Sequence, residues 1–298
     1  MPYLIFLFVC AVWSVSFLLM KKAALVFSPA SVALWRTVGG VVILLAIWGW
    51  QRRGWSLRRG DSLTLFAVVA AGFAWPYYIQ PAVIGRHGSA FMAMAVSLVP
   101  FVTIVCSLFV LRVRPSLRQL IGVVVALVCM CILMWDGLAR SIPLVDLGLA
   151  ATVPLGYAAA NTVIRWRLSH ASPLDVTIAA LGGSSVMLLP FAVISDSPAT
   201  SAEGQWAWAV VSLAFLGIVG TGLATVLFNK MIRDHGPLFA GMTTNVVPIG
   251  AVVWGWIDQE PISARQLAAL AGIIVMVTLV QFRAAAKSGT LEESLHRK

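Results

Sequence analysis

Charge is scarce in this sequence: Asp, Glu, Lys and Arg make up 11% of its 298 residues, while 60% are hydrophobic. With a mean hydropathy of +0.93, so little polar material cannot cover a water-soluble globule, which leaves an integral membrane protein. Acid is scarcer still, 11 Asp and Glu against 21 Lys and Arg. All of the acids fall in loops or at helix ends, so the apolar segments hold no paired carboxylates, no Ser, His and Asp set and no HExxH, and catalysis there would lack a proton-transfer group. The four cysteines, Cys10, Cys106, Cys129 and Cys131, lie in apolar stretches and read as buried thiols, which excludes a disulfide framework or a metal centre. His87 and His235 stand beside loop glycines with no Cys, Asp or His at ligand spacing, so no metal and no cofactor is expected. The surplus of base is spread through short loops instead of forming one patch, which excludes nucleic acid as a partner and points to membrane topology.

What the sequence does have is long apolar runs. A membrane-spanning helix needs about 20 mostly apolar residues, and breaks at charges, Pro and Gly divide the chain into ten such segments, starting near Tyr3, Ala30, Ser62, Gly88, Gln119, Val145, Asp175, Trp206, Gly236 and Arg265. Unbroken runs such as 41–48 and 123–134 exclude the alternating strands of a β-barrel. The first segment lacks a basic n-region and a small-residue cleavage site, and reads as a retained span. With the N-terminus in the cytoplasm, 15 of the 21 Lys and Arg fall on the cytoplasmic side, and the opposite side has only Lys21, Lys22, Arg86, Arg140 and Arg265. That imbalance puts both termini in the cytoplasm.

A short pattern occurs twice. Gly72, His87-Gly88, Phe91, Met94, Val99, Pro100 and Val105 return 148 residues later as Gly220, His235-Gly236, Phe239, Met242, Val247, Pro248 and Val253. Ser28-Pro29 and Gly39 return 144 residues later as Ser172-Pro173 and Gly183. Residues 1–140 then form one five-helix copy and 141–284 the other, followed by a disordered cytoplasmic tail at 285–298. Because five is odd, the second copy runs through the bilayer upside down. The expected fold is an all-α integral membrane protein of ten transmembrane helices, arranged as two inverted five-helix repeats around a central cavity, which suits alternating access.

Three features recur in register. They are an aromatic-then-basic first helix (Trp13 to Lys21, Tyr157 to Arg165), a Ser-Pro start to the second (Ser28-Pro29, Ser172-Pro173) and a proline within the fourth (Pro100, Pro248). On these the chain resembles the EamA repeat of the drug/metabolite transporter superfamily over nearly its whole length. Within it the chain is similar to the YddG-type exporters of aromatic amino acids. The resemblance implies an inner-membrane exporter with a central cavity lined by the first, third, fourth, sixth, eighth and ninth helices. Ion-coupled carriers keep an ionisable or oxygen-rich site near the midplane. This sequence has no acid there, so a facilitator without ion coupling is expected.

Several residues are candidates for a substrate pathway. On the fourth helix Phe91, Met94, Ser97 and Phe101 share a face, and Phe239, Met242 and Asn245 occupy the matching face of the ninth. Ser97 and Asn245 offer hydrogen bonds to an ammonium or carboxylate, and Met94 and Met242 offer adaptable apolar contact; plain helix packing is the alternative. Trp13 shares a face with Ser16, Phe17 and Met20, and its repeat counterpart Tyr157 has Asn161 one turn on, an aromatic pair suited to stacking on a planar substrate. The third helix carries Trp75-Pro76-Tyr77-Tyr78 and Gln80-Pro81. Its prolines free backbone carbonyls that, with Tyr77, Tyr78 and Gln80, either coordinate substrate or simply mark a kink. Thr221, Thr225 and Asn229 read as a water-facing stripe of the eighth helix. Pro100 and Pro248 are hinge candidates at symmetric depths. Arg36, the one cation well inside a span, either snorkels or caps carbonyls, or holds a substrate carboxylate; its counterpart Ala180 favours the structural role.

The expected function is export of amino acids, with Trp, Phe, Tyr and Met favoured, the partners being that small molecule and the lipid bilayer. A monomer suffices. The rival readings are a broad metabolite or drug exporter of the same superfamily, and a non-catalytic scaffold or sensor, which would leave the repeated prolines and polar stripes unexplained.

Overall fold

The computed structural model describes residues 2–51, 54–110, 116–195, 204–231 and 243–278. Among the described residues there are helices and turns but no strand. In chain order the helices are α1 (Pro2–Ala24), α2 (Pro29–Gln51), α3 (Arg59–His87), α4 (Ser89–Val110), α5 (Leu117–Ala139), α6 (Leu144–Arg167), α7 (Pro173–Ser195), α8 (Trp206–Met231), α9 (Thr243–Ile257) and α10 (Ala264–Thr278). Eight, α1 to α8, are long and apolar enough to cross a membrane, and α9 and α10 are shorter apolar helices within the described residues.

Local chemistry sets where helices begin. Pro29 and Pro173 open α2 and α7, where the missing N–H costs nothing because a first-turn N–H has no partner within the helix. Ser116 and Gln119 form a reciprocal cap on α5: the Gln119 N–H donates to Ser116 Oγ, and the Ser116 N–H to Gln119 Oε1 at 2.7 Å. Apolar side chains such as Val124, Leu127, Val186 and Ile194 remain exposed, as a surface bathed in hydrocarbon requires.

Two helices are distorted at matching places. α3 contains a π-helical turn at Val69–Ala74, and α8 contains one at Leu216–Leu223, around Gly72 and Gly220, which lie 148 residues apart. In α3 the cause follows directly from sequence. Pro76 has no N–H to give the carbonyl of Gly72 and its ring would collide with it, so the hydrogen-bond ladder shifts to a wider turn just before it. In α8 the run Gly217, Gly220, Gly222 supplies the slack.

These wide turns are where the two copies meet. A Cβ at Gly72 would collide with Ala160 Cβ on α6, and one at Gly156 on α6 would collide with the carbonyl oxygen of Ala71. At the matching site a Cβ at Gly220 would stand 3.0 Å from Ser16 Oγ on α1, and Ser16 and Ala160 are themselves repeat counterparts. α2 also approaches α8 closely, a Cβ at Gly39 lying 2.9 Å from the Cα of Gly217. Each copy thus places its first helix against the third helix of the other. With no aqueous hydrophobic effect between helices in lipid, such backbone contact is what holds them together.

α4 is broken near its middle. Its first part ends at Val96 and its second begins at Val99, with Ser97 and Leu98 in a tight turn whose N–H groups donate to Met94 and Ala95 at 3.2 Å. Pro100 is the cause, because it cannot donate to Val96 and its ring displaces that carbonyl. Pro248, its counterpart, lies inside α9. His235, Phe239 and Met242 lie outside the described residues.

Polar clasps gather the helix ends into two groups. At one end the Glu260 carboxylate accepts the Ser89 N–H (2.8 Å), the Ser89 hydroxyl (2.9 Å), the Ala90 N–H (3.0 Å) and Lys21 Nζ (2.9 Å). Lys21 also donates to Asp258, as does Lys22. Nearby, Asp146 pairs with Arg86 and His87, and the Ser263 hydroxyl donates to Asp136. Gly88, at φ +95°, and Gly255 leave room for Glu260, since a Cβ on either would come within 2.9 Å of its carboxylate. At the other end Asp175 accepts the N–H and hydroxyl of Ser56, whose oxygen accepts the Ser172 N–H, and Asp61 meets His170. Burial alone would raise the pKa of Glu260, but the N–H groups of Ser89 and Ala90, then Lys21 and the Ser89 hydroxyl, outweigh it and hold the carboxyl below its ordinary value of 4.5.

Two outcomes are expected. Gly156→Ala gains up to about 1 kcal/mol of helix propensity but meets a carbonyl that cannot yield, and should lose about 1–3 kcal/mol net; Gly182→Ala, whose Cβ meets nothing within 4 Å, should be neutral or stabilising. Thermal unfolding of both in detergent checks this. A lowered carboxylate pKa stabilises the fold above pH 4.5 and loses that contribution only as pH falls through the depressed value. Glu260→Gln should therefore lower stability at pH 7 by roughly 2–3 kcal/mol and flatten the acid-side loss of the wild type below pH 4.5.

Candidate functional site

The seam between the copies encloses a cavity of about 310 Å³, within the range of small-molecule sites. It is lined by Trp13, Ser16, Phe17 and Met20 of α1, Arg36 of α2, Tyr77 and Gln80 of α3, Ala93, Val96, Ser97 and Val99 of α4, and Tyr157 and Asn161 of α6. α8 adds Gly220, Thr221, Thr225 and Phe228, and α9 adds Thr243, Val247 and Pro248. All six helices in the resemblance's set contribute at least one aromatic or hydrogen-bonding side chain, α9 through Thr243. α2 is an addition, through Arg36.

The wall is held in place by bonds between the copies. The Trp13 indole N–H donates to the carbonyl of Gly220 at 3.0 Å, within the wide turn of α8, and its ring packs on Phe228 with centroids 5.0 Å apart. Across the seam Gln80 Nε2 donates to the Tyr157 hydroxyl at 2.5 Å, and Tyr77 meets Tyr157 edge-on at 6.5 Å. Trp13 and Tyr157 are repeat counterparts, and so are Phe228 and Gln80. The same pairing of positions thus occurs twice, as an apolar contact on one side and a polar one on the other.

Arg36 does not snorkel out of the bundle. Its Nε donates to Thr221 Oγ1 at 3.0 Å, its Nη1 lies 3.3 Å from Met20 Sδ, and its Cζ stands 4.2 Å over the Tyr77 ring. Gly40 lets this happen, because it faces Thr221 and leaves no space for a larger side chain between α2 and α8.

Of the residues expected to bind substrate, Trp13, Tyr77, Gln80, Ser97, Tyr157 and Asn161 come together on this wall. Tyr78 instead packs between the two largest apolar clusters, and Met94 is wholly buried in one of them. Met242 lies outside the described residues, and of Asn245 only its place in α9 is described. Of the two hinge candidates, Pro248 lines the cavity, and Pro100 stands just past the α4 break formed by the lining residues Val96, Ser97 and Val99. Thr221 and Thr225, read from sequence as a water-facing stripe, line the cavity, with the Thr225 hydroxyl turned back onto the Thr221 carbonyl at 2.5 Å. Phe228 and Thr243 were not singled out; the repeat itself was the available signal for Phe228, since it lies opposite Gln80.

Among the described lining residues there is no Asp, Glu, His, Lys or Cys, and they present hydrogen-bonding groups, aromatic faces and one cation. No group of residues suited to a metal ion occurs among the described residues.

The model of the EamA-like transporter family matches residues 1–135 and again residues 146–282. No curated protein matches the chain. A solved crystal structure superimposes over 95% of this chain and 98% of its own with a TM-score of 0.60 at 14% identity, a likeness that shows the fold alone.

Trp13→Phe keeps the ring and removes the bond to Gly220, and should lower thermal stability by about 1 kcal/mol; Gln80→Leu, which strands the buried Tyr157 hydroxyl, should cost about 1–3 kcal/mol. Detergent-solubilised protein followed by intrinsic fluorescence on heating measures both, and an unchanged midpoint for Trp13→Phe would mean the cross-seam bond contributes nothing.

Proposed function

The chain belongs to the EamA-like transporter family of the drug/metabolite transporter superfamily, transporters and not enzymes, and on that premise we propose that it exports amino acids, aromatic or bulky apolar ones first, by alternating access. The protein is multi-pass in the membrane, with eight helices long and apolar enough to span it. Our reading adds α9 and α10 as spans nine and ten, makes residues 1–140 and 141–284 inverted repeats, and sets the chain in the inner membrane with both termini in the cytoplasm. The duplicated sequence pattern, the paired wide turns of α3 and α8 and the alternation of polar clasps between two ends support it.

The observation that carries the substrate class is one cavity into which both copies send an aromatic at the same repeat position, Trp13 and Tyr157, beside amide and hydroxyl groups of Gln80, Ser97, Thr221 and Thr225. Flat rings bury large apolar area against such faces, and the polar groups offer partners to an ammonium and a carboxylate. The described lining has no carboxylate to carry a coupling proton, which supports transport that follows the gradient of the substrate itself. Pro100 and Pro248 act as hinges on either side of the seam, bending α4 and α9 to open one end of the cavity while the other closes.

The test is counterflow in proteoliposomes with labelled tryptophan, phenylalanine or methionine. Saturable exchange is expected, and rates should rise less than about twofold under an imposed pH gradient. Competition by many unrelated apolar solutes and weak competition by amino acids would favour the broad exporter. Pro100→Leu, which restores a continuous hydrogen-bond ladder in α4, should fold and slow exchange by about tenfold; an unchanged rate removes the hinge.

A further inference from the structure

Resting on the amino-acid reading of this cavity and deepening it, we propose that Arg36 is the specificity-determining group that takes the substrate's carboxylate, so that the cavity selects monocarboxylates over amines, esters and amides of the same shape.

A guanidinium has five N–H donors in a rigid fork that matches a carboxylate. In Arg36 one donor meets the Thr221 hydroxyl and one meets the sulfur of Met20, a weak acceptor. The remaining donors have no partner among the described residues. Charge compensation is missing as well, since each carboxylate of the described residues is engaged at a helix end: Asp61 with His170, Asp136 with Ser263, Asp146 with Arg86 and His87, Asp175 with Ser56, and Asp258 and Glu260 with the lysines. None reaches Arg36. A cation half-buried in the wall of a mostly apolar cavity is costly without an anion, and the face of Tyr77 at 4.2 Å compensates it only in part.

The position is specific to one copy. Ala180 stands at the counterpart site in α7, so structural symmetry does not require a cation there. The contacts of Arg36 also hold it ready: Thr221 holds Nε at 3.0 Å, and the Tyr77 ring lies 4.2 Å from Cζ. A bound carboxylate would replace the sulfur contact with a charge-assisted bidentate pair, leaving the apolar body of the substrate against Trp13, Phe17 and Phe228. A single cation suits one negative charge. A phosphate ester, with about two, would be left half uncompensated.

The experiment is competition against labelled phenylalanine counterflow by 3-phenylpropionate, phenethylamine and phenylalanine methyl ester. In the wild type 3-phenylpropionate should compete at least about tenfold better than the amine or the ester. In Arg36→Gln that preference should collapse to within about twofold, and in Arg36→Lys, which keeps the charge without the fork, it should be partly kept. Equal competition by acid and ester in the wild type, or an undiminished preference in Arg36→Gln, overturns the proposal. If the wild type exchanges no amino acid, the transport reading fails, and Arg36 is judged separately by thermal shift of the purified protein at constant ionic strength. Stabilisation by 3-phenylpropionate but not by phenethylamine, lost in a folded Arg36→Gln, supports the assignment. No difference between the two probes in the wild type sinks it.

Discussion

The architecture depends on two close glycine contacts between the copies: the wide turn of α3 against α6 at Gly72, Gly156 and Ala160, and the wide turn of α8 against α1 at Gly220 and Ser16. In lipid, apolar side chains gain little by leaving their surroundings, so helices associate through close packing and the occasional interhelical hydrogen bond. Glycine at these positions brings backbones to a distance that no side chain would allow. The same wide turns are also what creates the cavity. A π turn interrupts the regular ladder, exposes a carbonyl such as that of Gly220, and gives the Trp13 indole an acceptor. Packing and binding surface are therefore consequences of one distortion, repeated once per copy.

Duplication supplies the frame and divergence supplies the chemistry. The paired positions Trp13 and Tyr157, Phe228 and Gln80, and Thr225 and Tyr77 keep their places around the seam while exchanging ring for ring, ring for amide and hydroxyl for ring. A cavity with identical halves would offer a substrate two equivalent poses. The cation at Arg36, facing Tyr77 and Thr221 with only Ala180 opposite in the repeat, removes that degeneracy. It gives the site a polar end and an apolar end, as orientation of a small asymmetric molecule requires.

Much of this was legible in the sequence, for stated reasons. Helix starts at Pro29, Pro173 and Trp206 follow from proline at the first turn and from the ends of apolar runs. Trp13, Tyr157 and Ser97 stand out because matching helix faces recur in the repeat and Asn161 because it lies one turn beyond Tyr157, whereas Tyr77 and Gln80 stand out only beside the prolines of the third helix. Tyr78 and Met94 pack elsewhere because helical phase was read along nearly uniform apolar sequence, where periodicity carries little information. Phase is lost at a π turn in any case, since one extra residue rotates everything beyond it by roughly 100°. For Arg36 the counterpart Ala180 favours a snorkelling or carbonyl-capping role, and the structure holds the guanidinium inside the bundle against Thr221, Met20 and Tyr77.

The helix ends carry the same lesson in electrostatic form. Glu260 caps the start of α4 and holds Lys21, joining the first copy to the connection between α9 and α10 with donors enough to keep it ionised despite burial. The sequence counterparts of this pair are Arg112 and Arg165, two cations where the clasp has an acid and a cation, so the opposite end cannot form the same ion pair. At that end the neutral hydroxyl of Ser56 bridges Asp175 and Ser172 instead. Both fastenings are charge-assisted, since a hydrogen bond to an ionised carboxylate counts as such whether its donor is charged or neutral. The two ends of a duplicated fold therefore differ in how they are fastened, a lysine–glutamate pair at one and a carboxylate held by the neutral donors of Ser56 at the other, because charge was not kept at these positions through the duplication.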